Sequence, residues 1–181
     1  MAIAPGPVLE TARLILRPTA SEDLDGWAGM MADAEVARYI GGVQARSGAW
    51  RGMASMAGSW ALMGFGMFSV IDRASGAWLG RVGPWQPEGW PGTEVGWGLT
   101  RAAWGQGYAA EAAMATIDWV FDHLGWDEVI HCIDPENTPS QAVARRLGST
   151  NRGPGKLPAP YEDHPIDLWG QTRAQWRARR A

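Results

Sequence analysis

The sequence of 181 residues lacks several features that mark common protein classes. Its single cysteine, Cys132, cannot form a disulfide within the chain, and a reducing, cytoplasmic location is therefore expected. No apolar run reaches the roughly 18 residues of a membrane span. Residues 1–18 lack the charged and apolar segments of a secretory signal. No group of residues has metal-ligand spacing, so we expect no bound metal. Because no apolar run is long enough to span a membrane, we also expect no membrane partner.

The charge distribution argues against nucleic acid as a partner. The net charge is −3 and there is no dominant basic block, whereas phosphate binding needs clustered Lys and Arg. The basic tail "RAQWRARRA" is the one local exception, and we interpret it as a solvated terminal helix. The 12 tryptophans suit a packed core, and a few suit the wall of a cleft.

Alternating apolar residues and turn residues predict the first half of the chain. A strand is expected over residues 12–17, ended by Pro18 and Thr19. Ser21 is an N-cap candidate for a helix over residues 21–33. A second helix is expected over residues 46–62, followed by three antiparallel strands at 66–72, 77–85 and 93–99.

The second half of the chain alternates helices and strands. Apolar residues recur at helical spacing from about 107 to 124, and a strand is predicted over 128–133. Thr138 and Pro139 are the expected N-cap and first residue of a further helix, and the stretch "HPIDLWGQT" is the last strand. This order predicts a single domain, 1–181, with a mixed α/β (α+β) fold and one central, mostly antiparallel twisted sheet.

The stretch "WGQGYAAEA", residues 104–112, joins a strand to a helix through two glycines. The start of a helix presents N–H groups and a partial positive charge, so this turn could hold an anion without Lys or Arg. It lacks the lysine of a P-loop and fits the Gly-x-Gly-x-x-Gly fingerprint of dinucleotide-binding folds only loosely. On these residues alone, an ordinary glycine-rich loop remains an equal alternative.

Three segments together resemble the GNAT superfamily of acetyltransferases. The turn Gly105-Gln106-Gly107-Tyr108-Ala109 is similar to the end of its acyl-CoA motif, although Trp104 stands where the motif has Gln or Arg. The segments "LETARLILRP" and "NTPSQAVARRLG" are similar to the RimJ/RimL-type branch. The three occur in the expected order and span nearly the whole chain.

The resemblance implies acetyl-CoA as cosubstrate and the GNAT fold, in which the middle strands 93–99 and 128–133 splay apart. Backbone groups at Leu99 and Thr100 would pair with the pantetheine arm. The amides of the turn would face the pyrophosphate; they belong to Trp104, Gly105, Gln106, Gly107, Tyr108 and Ala109. The ring of Tyr108 is expected to pack beside the turn, and Glu111 to brace it.

Acetyl transfer to an amine needs a base for the amine proton and a donor for the leaving thiolate. Glu94 is the candidate base, because it shares a strand face with Gly96 and Gly98, which leave room for a ligand. The resemblance implies that Asn137 binds the CoA arm and that Ser140, or else a water, protonates the thiolate. Many relatives place a Tyr at position 144, where this chain has Ala144.

Other candidate residues have more ordinary interpretations. We expect His131 to be a satisfied core histidine and Cys132 a buried small side chain rather than a nucleophile. The amine acceptor is expected to be a protein N-terminus or a small molecule, bound by residues 30–65 and two loops with walls that include Trp50, Trp60, Trp85 and Trp90. A homodimer is a further expectation. The alternative function is a non-catalytic sensor or assembly module that binds acetyl-CoA or CoA.

Overall fold

The computed structural model describes residues 6–180, which form eight strands and six α-helices. The strands are β1 (Leu9–Glu10), β2 (Leu14–Pro18), β3 (Phe68–Asp72), β4 (Trp78–Trp85), β5 (Glu94–Leu99), β6 (Glu128–Ile133), β7 (Thr150–Gly155) and β8 (Ile166–Thr172). The α-helices are α1 (Leu24–Ala32), α2 (Ala34–Ala37), α3 (Arg46–Met63), α4 (Tyr108–His123), α5 (Thr138–Leu147) and α6 (Arg173–Arg180). Two short 3-10 helices cover Ser21–Asp23 and Arg101–Ala103. Two ends of the chain lie outside the described residues. They are residues 1–5, part of the stretch expected to lack a secretory signal, and Ala181, the last residue of the basic tail.

The described strands form one open sheet in the order β1-β2-β3-β4-β5-β6-β8-β7. Antiparallel pairing joins β1 to β2, β2 to β3, β3 to β4, β6 to β8 and β7 to β8, whereas β5 and β6 are parallel. The mixed α/β prediction with one mostly antiparallel sheet is therefore confirmed. By its internal contacts the chain divides into two compact units, residues 1–83 with 97–115 and residues 84–96 with 116–181.

The first unit contains a β-bulge in β4, where the pairing of β4 with β3 shifts register. The register between β3 and β4 shifts after Val70, which lies opposite Gly80, while Ile71 lies opposite Trp78. The carbonyl of Leu79, the extra residue, accepts a hydrogen bond from the N–H of Thr100 at 2.8 Å. Gly80 is needed here, since a Cβ atom would lie 2.3 Å from the carbonyl oxygen of Gly98.

Helices α1, α2 and α3 of the first unit pack around a shared apolar cluster. The buried members come from all three helices: Trp27, Met30, Met31, Val36, Ala37, Ala49 and Met53. Trp60 is also core rather than cleft wall, because it is 2% exposed, packs on Phe68 and donates its indole N–H to Met67 O at 3.1 Å. Burial of one such large side chain stabilises the fold by about 1.5–3 kcal/mol.

Asp23, also in the first unit, is a buried carboxylate with four hydrogen-bond donors. Arg17 donates from Nη1 to Oδ2 at 2.9 Å and from Nη2 to Oδ1 at 2.7 Å. The N–H of Ala20 and the hydroxyl of Ser69 donate to Oδ2 at 2.8 and 2.6 Å. Only 3% of Asp23 is exposed, so this network replaces the water that the charge would otherwise require.

The second unit is built on β6, β8 and β7. The antiparallel ladder between β6 and β8 runs without a shift from Glu128 opposite Thr172 to Ile133 opposite Asp167. The basic tail forms α6, and the expectation of a solvated helix is only partly right. Trp176 is 2% exposed and donates its indole N–H to Asp118 at 2.7 Å, so α6 buries one face.

Several sequence expectations need correction. Ala20, not Ser21, occupies the N-cap position of the first short helix. Asn137, not Thr138, caps α5, because its side chain accepts a hydrogen bond from the N–H of Ser140. Four elements were not predicted: β1, α2, β7 and the 3-10 helix Arg101–Ala103. The first two are only two and four residues long, and β7 has the Gly- and Pro-containing sequence "TNRGPG", which is typical of a loop.

We predict that Asp23→Ala lowers the free energy of unfolding by about 3–5 kcal/mol, because it leaves the Arg17 charge without its buried partner. Urea denaturation measures this change. Asp25→Ala is the matched control, since Asp25 pairs with Arg46 on the surface with 88% of its side chain exposed. Equal effects of the two substitutions would contradict the prediction.

Candidate functional site

The turn before α4 depends on two glycines in the left-handed conformation. Gly105 has φ 72° and Gly107 has φ 80°, a region that costs other residues energy. A Cβ atom on Gly105 would meet nothing within 4 Å, so the glycine is required for its backbone angle rather than for space. The carbonyl of Gly107 accepts the N–H of Glu111 at 3.1 Å, which makes it the first acceptor of the helix. The N–H groups that follow, including that of Ala109, have no partner within the helix.

Polar groups on either side of the turn already have partners. The indole N–H of Trp104, which is 45% exposed, donates to Leu99 O at 2.9 Å. The side chain of Gln106 donates to Ala102 O at 2.8 Å. The N–H of Thr100 donates a hydrogen bond to the carbonyl of Leu79. A pantetheine arm that pairs with Leu99 and Thr100 would therefore use their other hydrogen-bonding capacity or displace these bonds.

Glu111 is tied to the segment that precedes β2, and we call these contacts of Thr11 and Arg13 with Glu111 the Glu111 brace. Oε1 accepts the hydroxyl of Thr11 at 2.6 Å and the N–H of Arg13 at 3.0 Å. Oε2 accepts Nε of Arg13 at 2.7 Å and lies 2.6 Å from its Nη2. The expectation that Glu111 braces the turn is confirmed.

Arg13 reaches from the brace to the turn itself. Its Nη1 donates to Gln106 O at 3.0 Å, and its guanidinium lies 4.4 Å from the ring centre of Tyr108. Burial alone would raise the pKa of Glu111, but the hydrogen bonds from Thr11 and Arg13 outweigh it and lower that pKa. The carboxylate is therefore held ionised, and one arginine connects it to the loop carbonyl.

In the second unit, side chains replace backbone pairing where β5 leaves β6. The parallel pairing places Glu94 opposite Ile130. Beyond it, Oε1 of Glu94 accepts the N–H of Cys132 at 3.0 Å, and Nδ1 of His131 donates to Val95 O at 2.7 Å. These two bonds satisfy backbone groups that a continuing ladder would otherwise pair.

Glu94 is buried at the end of this parallel pairing. It is 6% exposed, and its Oε2 accepts the indole N–H of Trp90 at 2.5 Å while Oε1 accepts Cys132 N–H. Trp90 in turn makes an edge contact with Trp85, with 6.5 Å between the ring centres. A carboxylate oxygen can accept more than one hydrogen bond, so these bonds still allow Glu94 to take a proton.

His131 is a satisfied core histidine, as the sequence predicts. Because a carbonyl can only accept, the proton lies on Nδ1, and Nε2 accepts the hydroxyl of Ser149 at 2.9 Å. Gln171 completes the network by donating to Ser149 Oγ at 3.0 Å. Burial lowers the pKa of His131 to about 4, so the ring is neutral near neutral pH.

Cys132 is poorly suited to covalent catalysis. Burial raises the pKa of its thiol strongly, and the negative charge and hydrogen bond of Glu94 raise it further. Since the thiolate is the nucleophile, a thiol held protonated is unreactive near neutral pH. Cys132 is partly exposed rather than buried, so the expectation of a buried side chain is corrected, whereas the raised pKa agrees with the expectation that it is not a nucleophile.

Helix α5 carries the remaining predicted site residues. Asn137 uses its Oδ1 to cap the helix at 3.2 Å from the N–H of Ser140, so a bond to a CoA arm would come from Nδ2 or from the second lone pair of Oδ1. Ser140 and Ala144 are one helical turn apart on the same face. Ala144 is fully buried, and the position that carries Tyr in many relatives offers no hydroxyl here.

The sequence interpretation missed two partners of the predicted residues. Arg13 was not singled out, because residues 12 and 13 form a bend before β2 and no strand pattern indicates that Thr11 and Arg13 both reach Glu111. Trp90 was considered as a cleft wall, whereas its indole N–H binds Glu94. Of the other tryptophans proposed as cleft walls, Trp50 is 53% exposed and Trp60 is core.

Metal sites and membrane-spanning helices are both absent from the described residues. Among residues 6–180, no group of three or more His, Cys, Asp or Glu side chains is arranged to hold a metal ion. Within the same range, no helix has the length and apolar character required to cross a membrane.

Comparison with known proteins identifies relatives of this arrangement. Residues 13–150 match the family described as acetyltransferase (GNAT) domain. An acetyltransferase from Agrobacterium tumefaciens is 30% identical, with a TM-score of 0.82 over 92% of this chain and 95% of that protein. A GNAT-family acetyltransferase from Bacillus anthracis is 25% identical, with a TM-score of 0.75 over 91% and 96%. A ribosomal-protein-S5-alanine acetyltransferase from Vibrio fischeri shares the fold at 18% identity, with a TM-score of 0.69 over 94% and 98%.

The buried histidine predicts how stability depends on pH. The unfolded chain takes up the proton near the ordinary pKa of 6.5, whereas folded His131 does so only near 4. The unfolded state therefore binds more protons as the pH falls through this window. The stability contributed by the neutral ring is fully present above 6.5 and is lost progressively toward 4, by on the order of 3 kcal/mol.

We expect His131→Gln to flatten the dependence of unfolding free energy on pH across this window, as measured by urea denaturation at several pH values. His164→Gln, which changes an exposed histidine, is the control and should leave the slope as it is. An unchanged slope in His131→Gln would show that another group is responsible.

Proposed function

Because the chain belongs to the GNAT acetyltransferase family, we propose that it moves the acetyl group of acetyl-CoA to a primary amine, as a RimJ/RimL-type enzyme. The observation that carries the proposal is the turn with left-handed Gly105 and Gly107 directly before α4, fixed by the Glu111 brace. Residues 1–181 would act as one N-acetyltransferase domain.

The first unit would bind the nucleotide end of acetyl-CoA. The N–H groups at the start of α4 and the helix dipole favour a pyrophosphate, and neither requires a lysine. The turn residues from Trp104 to Ala109 supply these groups, and Leu99 and Thr100 would contact the pantetheine arm. This part of the proposal rests on the resemblance together with the observed turn geometry.

The second unit would supply the chemistry. The amine nitrogen attacks the thioester carbonyl carbon, its proton passes to Glu94, and the C–S bond breaks to release CoA thiolate, which takes a proton from Ser140 or a water. Ser140 regains its proton from solvent and Glu94 releases the amine proton to solvent, which leaves the acetylated amine and CoA thiol as products. Asn137 would bind the CoA arm. No covalent enzyme intermediate is involved, since the only thiol, Cys132, has a raised pKa. Positioning of the two substrates would supply much of the remaining rate.

The acceptor is proposed as a protein N-terminus or a small amine. The similarity of "LETARLILRP" and "NTPSQAVARRLG" to the RimJ/RimL-type branch supports an N-terminal amine. The ribosomal-protein acetyltransferase named above supports the fold alone, because its identity is 18%. A cytoplasmic location, homodimerisation and the absence of a nucleic acid, membrane or metal partner remain predictions from the sequence.

A second candidate function is an acetyl-CoA or CoA-binding sensor or assembly module without useful turnover. Two observations favour it. Ala144 is buried where many relatives carry Tyr, and both oxygens of Glu94 already accept hydrogen bonds. The two candidates share the ligand and differ only in the chemistry.

Ligand-dependent thermal unfolding tests the proposed cosubstrate. Acetyl-CoA at about 100 times its Kd should stabilise the folded protein by roughly 2.7 kcal/mol, which raises Tm by roughly 5–10 °C for a chain of this size. NAD and ATP, added separately, are the controls and should have smaller effects. No rise with acetyl-CoA, or a larger rise with NAD or ATP, would overturn the assignment of the turn.

Substitution of Glu94 tests the enzyme against the sensor. With an amine panel and release of CoA thiol as the readout, Glu94→Gln should leave acetyl-CoA binding intact and lower turnover about 100-fold or more. Because the introduced amide could place an N–H donor against the indole N–H of Trp90, the double variant Trp90→Phe/Glu94→Gln removes this conflict.

Glu88→Gln and Trp90→Phe are the matched controls. Glu88 is an exposed acid of the same loop, and Trp90→Phe removes the indole donor but keeps the carboxylate. If both Glu94 variants retain turnover, Glu94 is not the base. If the wild-type protein binds acetyl-CoA but no amine releases CoA thiol, the sensor function is favoured.

A further inference from the structure

The turn before α4 contains two glycines, and glycine alone does not restrict a backbone to one conformation. Glycine reaches the left-handed region without strain, but it also has more backbone freedom than any other residue. Gly105 and Gly107 both occupy this region, on either side of Gln106. A ligand that bound such a turn would lose affinity to the entropy of ordering it, unless other residues fix it beforehand.

The Glu111 brace is the feature that orders this turn from outside. Arg13 donates Nη1 to the carbonyl of Gln106, while its Nε and Nη2 are held by Oε2 of Glu111. Glu111 is in the first turn of α4, so the same residue pair holds the loop and the helix that follows it. The hydroxyl of Thr11 and the N–H of Arg13 donate hydrogen bonds to the other carboxylate oxygen, Oε1 of Glu111.

We propose that Arg13 and Glu111 are positioning residues for the acetyl donor, which act by orienting the pyrophosphate-binding amides of the turn rather than by touching the phosphates. This inference rests on the proposed function, in which the turn binds the pyrophosphate of acetyl-CoA.

The contact of Arg13 with Gln106 sets the orientation of the peptide group between Gln106 and Gly107. In a trans peptide, the C=O and the following N–H point in opposite directions. Because Arg13 holds the carbonyl of Gln106, the N–H of Gly107 points away from the guanidinium. It is thereby directed to the side opposite Arg13, and the carbonyl oxygen, which would repel an anion, is kept on the Arg13 side.

The charge of Arg13 supports an indirect role. Nε and Nη2 donate to Glu111, Nη1 donates to Gln106, and the face of the guanidinium lies over Tyr108. The guanidinium charge is thus offset by a carboxylate at hydrogen-bond distance. A direct phosphate contact would have to compete with that carboxylate for the same donors.

Two substitutions separate positioning from direct charge. Arg13→Lys keeps the positive charge but loses the fork that reaches Gln106 and Glu111 together. Glu111→Gln removes the negative charge and leaves Arg13 uncompensated, so a direct charge contact would bind the donor more tightly. Arg73→Lys is the matched control, because Arg73 has 46% of its side chain exposed against 45% for Arg13, pairs with Glu10 and donates to Thr11 O.

The measurement compares two donors on the same protein sample. Isothermal titration gives the Kd of acetyl-CoA, and competition gives that of S-acetylpantetheine, which lacks the pyrophosphate and the nucleotide. The ratio of the two Kd values measures the contribution of the nucleotide end, and a general loss of folded protein does not change it. We expect the preference for acetyl-CoA to fall about tenfold in both Arg13→Lys and Glu111→Gln and to stay as in the wild type in Arg73→Lys.

The outcomes separate this inference from the proposed function. If the wild-type protein shows no preference for acetyl-CoA over S-acetylpantetheine, the turn does not bind the pyrophosphate and the proposed function fails. If the wild type has the preference and Arg13→Lys keeps it, or Glu111→Gln increases it, the positioning role is overturned while the proposed function stands.

Discussion

Backbone groups at the end of a ladder or the start of a helix must find new partners inside a protein, and this constraint accounts for the contacts of Glu94, His131 and Arg13. Where β5 leaves β6, the N–H of Cys132 is satisfied by Glu94 and the carbonyl of Val95 by His131. At the start of α4, the carbonyl of Gln106 is satisfied by Arg13. In each place a side chain gives a hydrogen-bond partner to a backbone group at the end of a regular element. Geometry that could serve catalysis is therefore also the geometry that the fold requires.

This dual use has a consequence for Glu94. A carboxylate that accepts a backbone N–H and an indole N–H is held rigidly, which suits a base that must meet a substrate in one orientation. The same bonds hold both carboxylate oxygens in place whether or not Glu94 acts as a base. They therefore fit an acetyltransferase and a protein that only binds the donor equally well.

The sequence predicts local features well and distant contacts poorly. Helices α3 and α4 and strand β6 follow from periodicity and flanking glycines, which are properties of neighbouring residues. The cap of α5 is wrong by one residue, because Asn137 and Thr138 are both good caps and only the bond to Ser140 decides between them. Strand β7 owes its pairing to β8 rather than to its own composition. The contact of Arg13 with Glu111 joins positions 98 residues apart, and no periodicity in one sequence reports it.

The turn "WGQGYAAEA" contains an acid and no base, yet it is proposed to hold an anion. The structure resolves this conflict in two steps. The acid, Glu111, does not face an anion alone, because Arg13 and Thr11 supply its hydrogen bonds and Arg13 offsets its charge. The paired charges then leave the N–H groups and dipole of α4 as the main source of positive potential. Arg13 thus offsets the acid beside the turn with the same guanidinium that holds the carbonyl of Gln106.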